Sequence, residues 1–561
     1  MNIIVFIKRI FKYLRTHSIK QIIKRILGIK PNYSEEVEYE IWIDNNEPKK
    51  TQINEIEKFI PKYKYKFLFL VKSNFNEDLI NSINSQTYSY YEIVKYSENI
   101  EIENLVAKSD ADYVILIKNE CIISEIMLYE FLIKIDSCRC DVIYSDSDII
   151  EKIYDENNKV ITKRMKPIFK PDFAIDTLRS KNYIGNCIAV KKEKLASTIK
   201  LNYNLNEIIL DLVFKAYENN LNIVHIPKIL YHDIKTDNKE DYNEELTIID
   251  EHLKRSGLSA KVEYGKHVGQ FHIKYNLKND DDKVSIIIPN MDHIEDLKKC
   301  IESIQQSTYK NFEIIIVENN SKKAETFEYY KKLNNEKNII IEKFKISYFN
   351  FSDIVNYGVS KASGKYIILL NNDIKIINKN WIEEMLMYAQ REDVGIVGAK
   401  LLFSDDSIQH AGVVIGIRGL AGHLYREVSK ENMAKYPDID LVQNMSAVTA
   451  ACFMVRKELY DLVWGFDSSF AVNFNDVDFC MKIREKGYYI VYNPNIEAYH
   501  YESKSRGVDT ENSEKQKRFE NEYNMFVTRW KKEIVQGDPY YNKNYRLDID
   551  IPKINYNKIM Y

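Results

Sequence analysis

Tyr366-Ile367-Ile368-Leu369-Leu370-Asn371-Asn372-Asp373 is the stretch from which the fold can be read. Five apolar residues without polar alternation describe a strand buried on both faces, as in a parallel sheet covered by helices. The run breaks directly into two amides and a carboxylate. Ligands of open α/β sheets bind beyond the carboxyl ends of the strands, so Asp373 stands where a metal or a phosphate is held. The same triplet is ordinary turn chemistry when taken alone, and the weight comes from its neighbours. Val284-Ser285-Ile286-Ile287-Ile288 runs into Pro289-Asn290, and the apolar run from Phe312 to Val317 runs into Glu318-Asn319-Asn320-Ser321. Three strands therefore deliver polar groups to one rim.

Working outward, the pattern recurs in the first half of the chain. Phe67-Leu68-Phe69-Leu70-Val71 and Tyr113-Val114-Ile115-Leu116-Ile117 are buried-strand candidates, and helical patterns separate them as in βαβ units. Ser82-Ile83, Thr87-Tyr88 and Glu92-Ile93 reappear 221 positions later as Ser303-Ile304, Thr308-Tyr309 and Glu313-Ile314. Tyr113, Asn119 and Glu120 align with Tyr366, Asn372 and Asp373, and Asp211, Lys215 and Pro227 with Asp478, Lys482 and Pro494, at spacings that grow along the chain. Such a long period reads as two copies of one α/β domain, the later one carrying insertions. The reading places a basic helical arm at 1–60, a first domain at 61–250, a charged solvated linker at 251–282, a second domain at 283–531 and a tail at 532–561.

Composition fits that division. A chain of 561 residues holds two to four domains at roughly 150 residues each. With 45% hydrophobic and 29% charged residues it buries real cores. Eighty Lys and Arg against 83 Asp and Glu give a net charge of −3, which supplies no field to hold a nucleic acid. Seven cysteines scattered from Cys121 to Cys480, without metal-ligand spacing, read as reduced thiols of a cytoplasmic protein. No window is apolar for the roughly 18 residues of a membrane span. Residues 1–30 mix Ile3, Ile4, Val5, Phe6, Ile10, Phe11 and Leu14 with eight Lys and Arg and no acid. That is the pattern of a helix lying on an anionic membrane surface, or of one packed on the protein's own body.

Farther along, Trp464-Gly465-Phe466-Asp467 precedes Asn475-Asp476-Val477-Asp478-Phe479-Cys480 and then His500-Tyr501-Glu502-Ser503. Carboxylates near a histidine suit a metal and a base. Singly, Asp478 is also an ordinary helix N-terminal acid and His500 an ordinary half-buried histidine. Together with Ile408-Gln409-His410-Ala411-Gly412-Val413 and Ser446-Ala447-Val448-Thr449-Ala450-Ala451, these motifs make residues 283–507 resemble the inverting, nucleotide-sugar-dependent family-2 glycosyltransferases, in particular bacterial rhamnosyltransferase-like enzymes of surface-polysaccharide assembly. The first copy resembles the companion domain of the same proteins through Tyr144-Ser145-Asp146-Ser147-Asp148, Phe169-Lys170-Pro171-Asp172, Asn182-Tyr183-Ile184-Gly185 and His225-Ile226-Pro227.

The resemblance implies an α/β fold of two tandem GT-A domains with mixed, mostly parallel sheets. It assigns Asp373 to a metal bridging the donor diphosphate, with Asn371 and Asn372 beside it, and His500 as a second ligand. Pro289, Asn290, Glu318 and Asn320 fall where the nucleoside is held, and Asp476 matches the base. Gln409, His410, His423, Trp464 and Asp478 fall toward the acceptor. Oxygen-rich ligands suit Mg²⁺ or Mn²⁺, and a histidine favours Mn²⁺. The implied reaction moves rhamnose or another hexose from a UDP- or dTDP-linked donor to a lipid-linked O-antigen, capsule or cell-wall glycan at the inner face of the membrane.

Comparing the copies adds an expectation of its own. At the spacing of 267 positions, Asn475 and Asp476 fall on Ile208 and Ile209; in the earlier blocks, with their shorter spacings, Lys118 stands where the second copy has Asn371, and Lys72-Ser73 replaces Pro289-Asn290. The first copy should therefore lack catalysis, with Asp146 and Asp148 either a polar site or a solvated loop. Two other readings are a bifunctional two-site polymerase, which Ile208 and Ile209 oppose, and a non-catalytic glycan-binding scaffold, which Asp373, Asp476 and His500 oppose. A nucleotidyltransferase would need a Gly-rich phosphate loop where this chain has Asn290-Met291-Asp292-His293.

Overall fold

Strands whose side chains are apolar on both faces are stable only between two covering layers, and Tyr366–Leu370 has all five residues buried. The computed structural model describes residues 33–557 other than 61–63, 74–75, 97–101, 119, 155–159, 199–204, 237–241, 347 and 502–512. The basic arm at 1–30, Asn119, Glu502 and Ser503 lie outside the described residues.

In the first domain, strands β1 (Phe67–Lys72), β2 (Tyr91–Tyr96), β3 (Tyr113–Ile117), β4 (Cys121–Ile123), β5 (Val142–Tyr154), β6 (Val160–Ile168), β7 (Cys187–Lys191) and β8 (Ile223–Ile234) form one sheet. Its order is β2-β1-β3-β7-β5-β8-β4, with β6 on β5. A hairpin follows, β9 (Ala260–Tyr264) and β10 (Phe271–Tyr275). The second domain comprises β11 (Val284–Asn290), β12 (Phe312–Glu318), β13 (Ile339–Lys343), β14 (Tyr366–Leu370), β15 (Ile374–Ile376), β16 (Val394–Leu402), β17 (Ile408–His410), β18 (Val413–Ile415), β19 (Ala421–His423), β20 (Gln443–Met445), β21 (Cys452–Arg456) and β22 (Tyr489–His500). Its main sheet runs β13-β12-β11-β14-β21-β16-β22-β15, with β17 on β16 and β20 on β22.

The two sheets share one path. Removing β13 leaves β12-β11-β14-β21-β16-β22-β15 in register with β2-β1-β3-β7-β5-β8-β4, and every matched pair has the same sense. The internal repeat seen in the sequence is thus a repeat of topology. The sheets are mixed, but less parallel than expected, because β7 and β21 insert antiparallel between two parallel groups. Helices cover the sheets closely. In the helix Phe351–Ser360, a Cβ on Gly358 would lie 2.5 Å from the Ile287 side chain and 2.7 Å from that of Val317, so only glycine lets this helix sit on β11 and β12.

Two boundary segments differ from expectation. Residues 251–282 are not a solvated linker: they hold the end of the helix Asn243–Arg255 and the β9–β10 hairpin, whose Val262, Phe271, Ile273 and Tyr275 are buried in a core shared by both copies. Alternating burial along Phe271–Tyr275 is the signal of a one-faced strand, short enough to be masked by the flanking charge. The tail is ordered as well: after the helix Lys531–Gln536 it crosses both domains, burying Tyr541 and Ile554. The N-terminal region is helical over Glu35–Asn46 and Lys50–Phe59. Among the described residues no helix is long and apolar enough to cross a membrane.

Candidate active site

The rim of the second domain forms because β11, β12 and β14 run parallel and end together, with Asn290 opposite Glu318. A chain of hydrogen bonds crosses it. Asn372 Nδ2 donates to Asn290 Oδ1 at 2.6 Å, Asn290 Nδ2 to the Tyr330 hydroxyl at 2.7 Å, and that hydroxyl to Glu318 Oε2 at 2.8 Å. Glu318 also accepts from Ser321 N at 2.6 Å and Ser321 Oγ at 2.7 Å. Its carboxylate is thereby fixed in the crevice between the strand ends. Asn320 adopts a left-handed backbone (φ 59°) and donates to Ile346 O at 2.7 Å. Tyr330 was missed in the sequence: it lies in the helix Ala324–Leu333, away from any strand end, and an aromatic at helical spacing reads as core.

Asp373 occupies the turn between β14 and β15, and β15 pairs with the end of β22 so that Ile374 faces His500. This pairing brings His500 Nε2 to 3.2 Å from Asp373 Oδ1 and from Asn371 Nδ2. Two cis ligands held about 2.1 Å from an octahedral cation are roughly 3 Å apart, so the pair fits two adjacent positions of a divalent ion. Among the described residues no group of three or more His, Cys, Asp and Glu side chains could hold a metal. The remaining ligands would come from a bound diphosphate and water, the usual way Mg²⁺ is held.

Asp476 is in the first turn of the helix Asn475–Glu485, where chain direction is set by Phe474 in a left-handed conformation (φ 61°). Asp476 Oδ1 accepts from Val477 N at 2.9 Å and Oδ2 from Ala450 N at 3.2 Å. The next residue, Ala451, accepts from Asn371 N at 3.0 Å. The segment before β21 therefore ties the Asp476 helix to the Asp373 turn through consecutive residues.

Residues 285–464 match the family model described as glycosyl transferase family 2. This segment is a family-2 glycosyltransferase domain. Over 414 residues the chain is 35% identical to the protein y4gI of Sinorhizobium fredii, covering 71% of this chain and 45% of that protein. Over 404 residues it is 31% identical to the O-antigen biosynthesis protein RfbC of Myxococcus xanthus, covering 68% of this chain and 30% of the relative. The chain thus spans less than half the length of these curated relatives. A solved structure of GalNAc-T7 with UDP, GalNAc and Mn²⁺ aligns at 15% identity and a TM-score of 0.38 over 49% of this chain and 52% of that one.

Within the glycosyltransferase domain, the five residues read toward the acceptor do not gather in one place. Asp478 is fully buried and accepts from Arg529 at 2.8 Å and the Trp530 indole at 3.0 Å, anchoring the C-terminal helices. It lies two residues beyond Asp476 on a helix, so the two side chains point to different sides. His410 is 1% exposed, with its Nδ1 2.9 Å from His423 Nδ1; burial, with the His423 and His500 rings nearby, pushes its pKa well below the usual histidine value. It is a neutral core histidine. Gln409 is buried behind His500. Trp464 is 91% exposed in a left-handed turn held by Asn356 and Tyr460, neither of which borders the Asp373 rim in the contacts described above.

The corresponding place in the first copy is built differently. Lys118 N donates to Asn186 O as Asn371 N does to Ala451 O, and β4 pairs with β8 so that Cys121 faces Asp233 where Ile374 faces His500. Asp233 Oδ1 accepts from Asn186 Nδ2 at 2.8 Å. Ile209, in the place of Asp476, is buried core. The buried Lys170 ammonium donates to Ile184 O at 2.7 Å and the Tyr231 hydroxyl at 2.8 Å, and burial, opposed by Asp146 and Asp233, pulls its pKa down to about 8. Asp146 and Asp148 are not a solvated loop: both are buried in β5. Asp146 accepts from His225, Lys170 N, Asn542 and Asn544, while Tyr39, Arg164 and His232 surround Asp148.

Proposed function

We propose that this chain is an inverting, metal-dependent glycosyltransferase with one active site, in the second domain, which moves a hexosyl unit from a nucleoside diphosphate to a growing surface glycan. The observation that carries this reading is that Asp476 and the Asp373–His500 pair are joined through the adjacent residues Ala450 and Ala451 at the rim that Asn290, Asn372 and Glu318 line. Inversion takes a single displacement, in which one carboxylate removes the proton of the attacking hydroxyl. Asp476 holds that position. Mn²⁺ or Mg²⁺ on Asp373 and His500 would, when bound, neutralise the departing diphosphate. Glu318 and Asn290, locked by Tyr330 and Ser321, keep fixed polar atoms for the nucleoside, and Asn320 closes that edge.

The buried Ile209 supports a single active site over a two-site polymerase. The name of the O-antigen biosynthesis relative supports a surface glycan as product, with rhamnose the first donor sugar to test and a lipid-linked glycan the first acceptor. In the same reading the basic arm at 1–30 rests on the anionic inner face of the cytoplasmic membrane.

The test is a thermal-shift titration with UDP, dTDP and GDP, each with Mn²⁺ and with chelator. A nucleotide at about 100 times its Kd stabilises the fold by roughly 2.7 kcal/mol. A metal-dependent shift with one nucleotide is expected. A folded protein that shifts with none would replace this reading with the glycan-binding scaffold.

A further inference from the structure

Gln409 binds one residue twice. Its Nε2 donates to the His500 backbone oxygen at 3.3 Å, and its Oε1 lies 2.6 Å from His500 Nδ1. A backbone carbonyl only accepts, so the amide nitrogen must occupy its side and the amide oxygen must face the ring. A ring nitrogen held against an amide oxygen carries the proton, which leaves the lone pair of a neutral imidazole on Nε2. That atom meets Asn371 Nδ2, whose N–H can donate into the lone pair, and Asp373 Oδ1, each at 3.2 Å. With that tautomer, Nε2 and Asp373 Oδ1 are two electron-pair donors 3.2 Å apart, the separation of adjacent ligands on one divalent cation.

We propose that Gln409 is a positioning residue of the metal site, fixing the tautomer and the aim of His500 so that Nε2 meets the cation. The inference rests on the reading of Asp373 and His500 as metal ligands. It assigns a role the sequence reading had put elsewhere: Gln409 is 3% exposed in β17, too deep to meet an acceptor sugar. Metal-ligating histidines are regularly held this way through their second nitrogen, and loss of the partner typically weakens metal affinity 10–100-fold. The first copy makes the contrast. Asp233 stands where His500 does, a carboxylate has no tautomer to fix, and its partner there is Asn186 on the segment before β7.

The test is Mn²⁺ binding to the full chain in the presence of UDP, dTDP or GDP, read from the electron paramagnetic resonance signal of free Mn²⁺ and corrected for Mn²⁺ bound by the nucleotide alone. Melting curves check that each variant is folded. Asp373→Ala and His500→Ala should lose the site. Gln409→Met should bind 10–100-fold more weakly, while Gln409→Glu, whose carboxylate still accepts the Nδ1 proton, should stay within a few-fold of wild type. If Gln409→Met melts early, Gln409→Asn, with the amide withdrawn by one methylene, carries the same expectation. Wild-type affinity in the Met or Asn variant, beside a loss in His500→Ala, overturns the inference and leaves the metal reading standing. Equal weakening in the Glu and Met variants also overturns it, since packing alone would then explain Gln409. Wild-type affinity in His500→Ala and Asp373→Ala, or no binding by wild type, removes the metal reading and this inference together.

Discussion

At the residue scale, the reading turns on a few side chains whose surroundings differ more than their types. Asp476 and Asp478 are two positions apart, yet one accepts from Val477 N and from Ala450 N and the other is sealed under Trp530. Asp476→Asn preserves size and the acceptor to Ala450 N but removes the base. Transfer to acceptor should fall by about 10²–10⁴-fold, with nucleotide affinity unchanged in the thermal shift; undiminished turnover would exclude Asp476 from that role. Asp373, Glu318 and Asn290 could be placed at strand ends because each ends or follows an apolar run, whereas His500 stood out only through the motif it shares with a known family. Asp478, His410 and Gln409 were misread because a sequence motif records proximity along the chain, whereas burial and partner are set by β17, β22 and the distant Arg529 and Trp530. Tyr330 left no trace, since its role is made by the fold bringing a helix over β11 and β12.

At the scale of elements, strands written as unbroken apolar runs were read correctly, and the repeat of spacings became a repeat of sheet order. What escaped was pairing sense. Whether β7 and β21 lie antiparallel depends on where the chain returns, which local periodicity does not encode. The C-terminal helix Ser513–Arg529 shows how a tertiary partner fixes an element of low hydropathy. Its Arg529 bonds Asp478 and Asp467, and its Glu522 accepts from the backbone of Ala471, Val472 and Asn473 just before the Asp476 helix. Arg529→Ala removes two hydrogen bonds to carboxylates and leaves the buried Asp478 with only the indole. A charged hydrogen bond contributes about 1.5–3 kcal/mol, and partial exposure of Arg529 places the expected loss at the low end. Urea melts should show it at an unchanged m-value, whereas nucleotide affinity should hold, because none of these contacts borders the Asp373 rim.

At the scale of the whole molecule, buried polar contacts join the two copies. Asp176, at the start of a first-domain helix, is buried against Arg391 of the second, with Asn444 bonding its backbone at 2.8 Å and its carboxylate at 2.9 Å. The tail adds a second seam: Asp538 accepts from Ile415 N, Pro539 O from Asp172 N, and Asn542 and Asn544 fill the shell of Asp146. The two buried polar seams fix the first copy against the second, and the tail's Asn542 and Asn544 give the buried Asp146 carboxylate its partners. Breaking a buried pair by removing one partner costs about 3–5 kcal/mol, since the remaining charge stays desolvated. Arg391→Met should lose that much. Because Arg391 precedes β16 whereas Asp373 follows β14, and the two strands run in the same direction, Arg391 lies at the opposite end of the strands and the nucleotide shift should survive where the variant is folded. Calorimetry distinguishes the two ways the loss can be distributed. If the seams couple the copies, one transition moves down as a unit. If the second domain alone melts earlier, leaving a separate first-domain transition at the wild-type temperature, the copies fold independently and the first is tethered to the active domain rather than built into it.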